Sequence, residues 1–266
     1  MEHAAGRLHG KAAFVLGAAG RDNMAQTIAR RFVDEGARVV VAGRGMDELE
    51  RFAGEIGGHA VRCDITDRGS IRDAVAAAKK WLGGLDAAVN ATGWGLLKPF
   101  LDTSEDEFDR ITAISLRGPF LLFQALIEAM TEGGSIIQIS SATSTIMLND
   151  HAAYMGAKAG TDHIVRIVAH EFGARGIRAN TISPGLTRTP MTQARADRPG
   201  MIEAFLPSYP LGRIGTSDDI AAAAAWLASD ECFMTGETLQ VNGGLTLRAN
   251  PTREQIVRSM QAHTTG

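Results

Sequence analysis

Tyrosine and cysteine are both scarce, at two residues each in 266. Cys63 and Cys232 stand far apart without metal-ligand spacing, so they offer no zinc site, and Cys63, at the end of an apolar run, reads as a buried reduced thiol. Charge of one sign is also missing: the net charge is −3 and no block of lysine and arginine occurs, which removes the electrostatic footprint of a nucleic-acid or anionic-membrane partner. No run approaches the ~20 apolar residues of a membrane helix. Met1 to Lys11 lacks the apolar stretch of a signal peptide, and a reducing cytoplasm is the expected setting. His170-Glu171 is not followed by the second histidine of a zinc-protease motif, and no Gly-x-Ser-x-Gly elbow marks a serine hydrolase. What is present is a 45% hydrophobic composition, enough for a sizeable core in one large α/β domain or two small ones.

Short β-rich runs alternate with amphipathic stretches. Strands are expected at Ala12–Leu16, Arg38–Ala42, Ala60–Cys63, Ala87–Asn90, Ser135–Ile139, Arg178–Ile182 and Thr238–Val241, and helices at Ala25–Glu35, Ser70–Leu82, Glu105–Met130, Ala152–Arg175 and Ser217–Ala228. Alternation of this kind implies parallel pairing through right-handed crossovers. The expected fold class is therefore α/β: one Rossmann-type domain over residues 1–266, a doubly wound parallel sheet of about seven strands with helices on both faces. Its ligand crevice lies at the carboxyl ends of the strands. Pro184–Gly212 holds five of the eight prolines among Met191, Met201, Phe205, Leu206 and Tyr209, and reads as a mobile substrate lid over about 186–212 rather than a plain connector. The tail, about 249–266, is polar with one weakly amphipathic turn.

Three sets of residues carry chemistry. The first is Tyr154-Met155-Gly156-Ala157-Lys158, with Ser141 thirteen residues upstream. If Tyr154 opens a helix, Lys158 lies one turn on along the same face, where an ammonium favours the phenolate and lowers the tyrosine pKa. With Ser141 holding a substrate oxygen, such a trio donates a proton to a carbonyl or takes one from an alcohol. The second set is a phosphate cradle after the first strand, with Gly17, Arg21, Asn23 and Met24 as its candidates, placed where small residues and a helix N-terminus accept a pyrophosphate. The third lies at successive strand ends. The second strand ends in Gly43-Arg44, where an NAD site usually has an acid; Arg44 can instead pair with a 2′-phosphate, with Arg21 as a second phosphate partner, which favours NADP(H) over NAD(H). Asp64, followed by Ile65, can accept from an adenine amino group, and Asn90-Ala91 would pack beside the adenosine ribose. No metal site is expected. His151 is read as a helix-start residue, with substrate contact as the alternative, and Trp94 and Leu96 either wall an apolar pocket or simply pack.

Taken together, these elements with Ser183-Pro184-Gly185, Thr187, Thr189, Pro210-Leu211-Gly212-Arg213-Ile214-Gly215 and Val241-Asn242-Gly243-Gly244 resemble the short-chain dehydrogenase/reductase family over about residues 8 to 247. The resemblance implies that Tyr154 is the acid/base and that Lys158 binds the nicotinamide ribose. It further implies that Ser141 orients the substrate oxygen, that Pro184 and Gly185 flank the nicotinamide, and that Thr187 and Thr189 complete the cofactor site. Two departures stand out. Gly17 is followed four residues later by Arg21 rather than glycine, with Asn23 and Ala25 at the later positions. That spacing resembles the enoyl reductases of the same superfamily, which however separate tyrosine and lysine by six residues rather than three. Ser115 replaces the usual asparagine of the proton relay and is expected to support a rearranged one. The expected activity is NADP(H)-dependent interconversion of a ketone and a secondary alcohol; the alternatives are an enoyl reductase and a non-catalytic cofactor-binding regulator. A moderately apolar carbonyl or alcohol substrate and a homotetramer are expected partners.

Overall fold

The computed structural model describes residues 6–247 and 253–264. Seven strands form one parallel sheet: β1 (Ala12–Leu16), β2 (Arg38–Gly43), β3 (His59–Arg62), β4 (Ala87–Asn90), β5 (Gly134–Ile139), β6 (Ile177–Pro184) and, after a separate two-stranded bridge of β7 (Thr187–Arg188) with β8 (Gly215–Thr216), β9 (Thr238–Val241). The spatial order is β3-β2-β1-β4-β5-β6-β9. The chain reverses its winding between β1 and β4, and that switch point opens the crevice.

Strand period explains why both faces are covered. Phe14 and Leu16 face one apolar layer, where they meet α3 (Arg68–Leu82), α5 (Gly118–Ala129) and α6 (Ala152–Phe172). Ala13 and Val15 face the other, packed by α1 (Met24–Asp34), α2 (Met46–Ile56) and α9 (Ser217–Ala228). Side chains alternate across a strand, so a strand buried on both faces reads as a continuous apolar run. Cys63 is buried, and burial followed by the Asp64 charge pushes its thiol up to about 12, which leaves it unreactive.

Three expectations need correction. The long helix expected over Glu105–Met130 is interrupted: α4 (Glu105–Thr112) passes into a π-helical turn at Ala113–Arg117 before α5. As one stretch, Glu105–Ala129 is long and apolar enough to cross a membrane, with mean hydropathy 1.3 over an 18-residue window, yet half of that window is buried within the protein. The proline-rich segment read as a mobile lid carries regular structure of its own, α7 (Pro190–Ala196), α8 (Met201–Phe205) and a 3-10 turn at Leu206–Ser208. The tail forms a full helix, α10 (Arg253–Thr264), where a single turn was expected, while residues 248–252 and 265–266 lie outside the described residues.

Candidate active site

The crevice is built around Gly17, immediately after β1. Its φ is +110°, and a Cβ there would sit 3.0 Å from the backbone of Ala91, just past β4. A side chain would therefore fill the switch point where the two strand ends meet. From Gly17 the loop is held from within. The Asn23 side chain accepts from the Gln26 amide at 3.0 Å and donates to the Gly17 carbonyl at 2.8 Å, while Gln26 Nε2 donates to the Ala18 carbonyl at 3.0 Å. Asn23 thus works as the N-cap of α1, and its side chain shapes the cradle instead of lining it. Among the described residues the amides of Gly20, Arg21 and Met24 have no intramolecular acceptor, so they remain to bind an anion at the α1 N-terminus. These donors, and the space that a Cβ at Gly17 would fill, fit a dinucleotide pyrophosphate.

The neighbouring strand ends extend the crevice. Gly43 is buried, and a Cβ on it would lie 2.7 Å from that of Ala19, so an acidic residue there would displace the phosphate loop. Arg44 is exposed and, among the described residues, makes no hydrogen bond or ion pair. Arg21 is exposed, its Nε 4.0 Å from Asp22. Asp64 accepts from the amide and hydroxyl of Thr66 through one oxygen, at 2.9 and 2.7 Å, and these bonds hold its carboxyl below its ordinary range. Ile65 has its side chain in the core, with α5 approaching its carbonyl at Gly118. Asn90 is buried; its side-chain amide donates to Gln138 at 2.9 Å and accepts from the hydroxyl of Thr92 at 2.7 Å. It braces the sheet end beside Ala91 rather than offering its side chain to a ligand.

At the other side of the crevice, the end of β5 meets the first turns of α6. Lys158 is fully buried and donates to the Ile139 carbonyl at 2.9 Å, with its Nζ 5.7 Å from the centre of the Tyr154 ring. Ser141 shares a 2.9 Å hydrogen bond with the Thr143 hydroxyl and lies close enough to the Tyr154 phenol to pull its pKa down. Gly93 borders the same space, where a Cβ would be 3.9 Å from Lys158 Nζ. The structure thus brings Ser141, Tyr154 and Lys158 together as the spacing anticipated.

The electrostatics differ from the expectation. Burial pushes the phenol of Tyr154 up to about 12, outweighing Ser141, and burial lowers the Lys158 ammonium to about 8. Taking both groups out of water opposes the charge on each, and at Tyr154 that cost exceeds the help of the Ser141 hydrogen bond. Ser115 lies in the π-helical turn, buried, its hydroxyl without a partner among the described residues while Thr161 donates to its carbonyl.

Two residues make contacts that the sequence reading of them did not give. Tyr209 is buried, and its phenol oxygen accepts from the Leu186 amide at 2.7 Å; a Cβ on Gly185 would meet that oxygen at 2.5 Å. It pins the turn from Pro184 to Thr187, where Thr187 donates to the Gly185 carbonyl at 3.0 Å and Thr192 bridges the Thr187 carbonyl and the Thr189 amide. Only the second tyrosine's rarity hinted at this. His151 packs against Tyr154 with ring centroids 4.5 Å apart and the planes tilted by 34°, its Nδ1 2.6 Å from the Leu96 carbonyl, so it joins the loop after β4 to the α6 start. Arg110 lies over the Trp94 ring at 4.1 Å.

A family model described as enoyl-(acyl carrier protein) reductase matches residues 17–246. The chain is 35% identical over 250 residues to the D-threitol dehydrogenase of Mycolicibacterium smegmatis, covering 91% of this chain and 95% of that protein. It is 34% identical over 251 residues to the glucose 1-dehydrogenase of Gluconobacter oxydans, covering 91% and 94%. The crystal structure of a short-chain type dehydrogenase/reductase from Mycobacterium marinum superposes with a TM-score of 0.83 at 33% identity, over 91% of this chain and 97% of that one.

Proposed function

The chain belongs to the short-chain dehydrogenase/reductase family, and we propose that it interconverts a ketone and a secondary alcohol with NADP(H), using Tyr154 as acid/base. Family and relatives make it a nicotinamide-dependent oxidoreductase of a small molecule, acting on CH–OH or C=O, so the regulator alternative falls away. The observation that carries the finer reading is the convergence of Ser141, Tyr154 and buried Lys158 where β5 meets α6.

A bound nicotinamide supplies or takes up the hydride. For reduction, a phenol at about 12 is the protonated donor the step requires, with Ser141 holding the carbonyl oxygen beside it. For oxidation Tyr154 must first lose its proton, and the Lys158 ammonium is the group near it that favours that loss. The Pro184–Thr187 turn, braced by Tyr209, and the amides of Gly20, Arg21 and Met24 support the cofactor reading. Arg44, exposed beside a Gly43 that tolerates no side chain, supports a 2′-phosphate and hence NADP(H). A tetramer remains part of the proposal as the family's expected assembly.

The substrate reading rests on Leu97, Met147 and Leu148, exposed on the loops after β4 and β5, which favour a moderately apolar molecule. The names of the two relatives favour a polyol or sugar. The enoyl-reductase reading is favoured by the description of the matching family model and by the Gly17–Ala25 spacing. Turnover of ketones, polyols and enones with identified products separates them. Alcohol from ketone is expected; saturation of the enone C=C bond with the carbonyl left intact would replace the reading with enoyl reduction.

A further inference from the structure

Three consecutive residues at the end of β5 each hold one member of a stripe along α6. The Ile139 carbonyl accepts from Lys158 at 2.9 Å, the Ser140 hydroxyl donates to Asp162 Oδ2 at 2.8 Å, and Ser141 lies beside the Tyr154 phenol. Tyr154, Lys158 and Asp162 are spaced four residues apart in an unbroken helix, so they stack on one face, a turn between each. Ser140 is itself buried and fixed, its amide donating to the Ile182 carbonyl of β6 at 2.8 Å. The second carboxylate oxygen, Asp162 Oδ1, is buried without a hydrogen-bond partner among the described residues. A buried acceptor left unmatched is costly, and besides Ser140 the Asp162 carboxyl is eased by the Ser144 hydroxyl and by the charge of Lys158 one turn earlier on the stripe.

We propose that Asp162 is a positioning residue of this site, anchoring α6 to the end of β5 through Ser140 and holding Lys158 in its ammonium form. The inference rests on the catalytic reading of Tyr154 and Lys158. Asp162 shares a shallow cavity with Ser144 and Thr145 from the loop after β5, His163 and Arg166 from α6, and Thr238 from β9. Of the groups lining it, only His163 and Arg166 are titratable or charged besides Asp162 itself, and both are exposed residues of the same helix. Burial lowers the Lys158 pKa, and among the described residues Asp162 is the carboxylate whose charge opposes it. The reciprocal effect is present too, since burial pushes the Asp162 carboxyl up while Ser140, Ser144 and Lys158 draw it back. Asp162 therefore acts on the proton inventory of the site through Lys158 while touching no substrate.

The test uses the full chain and separates charge from anchorage. Asp162→Asn removes the charge and can keep the Ser140 bond; Ser140→Ala removes the bond and keeps the charge. The alkaline limb of kcat/KM should move down by about one pH unit in Asp162→Asn and stay in place in Ser140→Ala, where only turnover falls. A second readout needs no turnover: the pH at which Tm diverges from that of the matching Lys158→Met protein reports the titration of Lys158. That onset should fall in Asp162→Asn and return in Asp162→Glu. If Asp162→Asn does not fold, Asp162→Ser gives the same two readouts. An alkaline limb and a Tm onset that both stay at the wild-type pH would overturn the inference. Full turnover by Tyr154→Phe would instead overturn the catalytic reading, and the Tm onset would still judge the Asp162–Lys158 pair.

Discussion

Lys158 occupies a position that ordinarily rejects a charge, and the consequence is measurable in two directions at once. With its pKa lowered by burial to about 8 from 10.5, it is an ammonium below pH 8 and neutral above it. Activity that depends on the ammonium should fall as pH rises through about 8 in a kcat/KM profile, which reports the free enzyme. Stability should do the reverse. Between pH 8 and about 9 the unfolded chain binds the lysine proton and the folded chain does not, so unfolding becomes harder as pH rises through that window; above the ordinary thiol value of 9.0 the buried Cys63, which keeps its proton only when folded, opposes the gain. A Tm that climbs while activity drops distinguishes this titration from ordinary alkaline unfolding; a Tm falling in step with activity would contradict it. Ser115 offers a second test at this scale, since its buried hydroxyl has no partner among the described residues. As the relay residue it should lose turnover severalfold as Ser115→Ala and gain as Ser115→Asn. No change in the first and no gain in the second removes the role.

At the scale of elements, the turn after β6 depends on a residue twenty-three positions away. Tyr209 accepts from Leu186, and the ring also lies 3.1 Å from where a Cβ on Gly243 would be, so this segment is clamped between the ends of β6 and β9. Tyr209→Phe orphans the Leu186 amide, at a cost of about 1–3 kcal/mol if it stays dry. The expected outcome is a lower Tm with a raised KM for cofactor and a smaller change in kcat; unchanged cofactor KM would show that the turn holds itself. This clamp was invisible in the sequence because nothing local couples Tyr209 to Gly185. The strands, in contrast, were legible to within two residues, since β1, β4 and β9 are bounded where apolar runs meet small or polar residues. The π-helical turn was not, because Ala113–Arg117 continues the apolar period of its flanks and only the packing of Thr161 and Gly160 against Ser115 and Leu116 marks the break. The same limit applies to the acid/base pair: spacing placed Tyr154 and Lys158 on one face, but the direction of the tyrosine shift is set by burial, which spacing does not report.

For the whole molecule, sheet order decides where ligand chemistry can occur. Reversal between β1 and β4 gathers Gly17, Gly43, Asp64 and Ala91 at one edge, and the β5–α6 junction brings Ser141, Tyr154 and Lys158 to the same edge. That grouping was legible because parallel strands put all their carboxyl ends on one side. Cofactor choice belongs to this scale as well. Arg44→Ala should raise KM for NADPH roughly tenfold, as expected for losing one charge-assisted phosphate contact, and leave NADH little changed; equal loss for both cofactors would mean that Arg44 does not meet a 2′-phosphate. The most direct test of the central claim is steady-state reduction of a ketone substrate by the wild-type chain and by Tyr154→Phe, with NADPH binding measured on both. Loss of turnover by roughly 10²–10⁴ with NADPH affinity retained is the predicted result. A Tyr154→Phe protein that binds NADPH and still reduces the ketone at the wild-type rate would contradict the assignment of the acid/base.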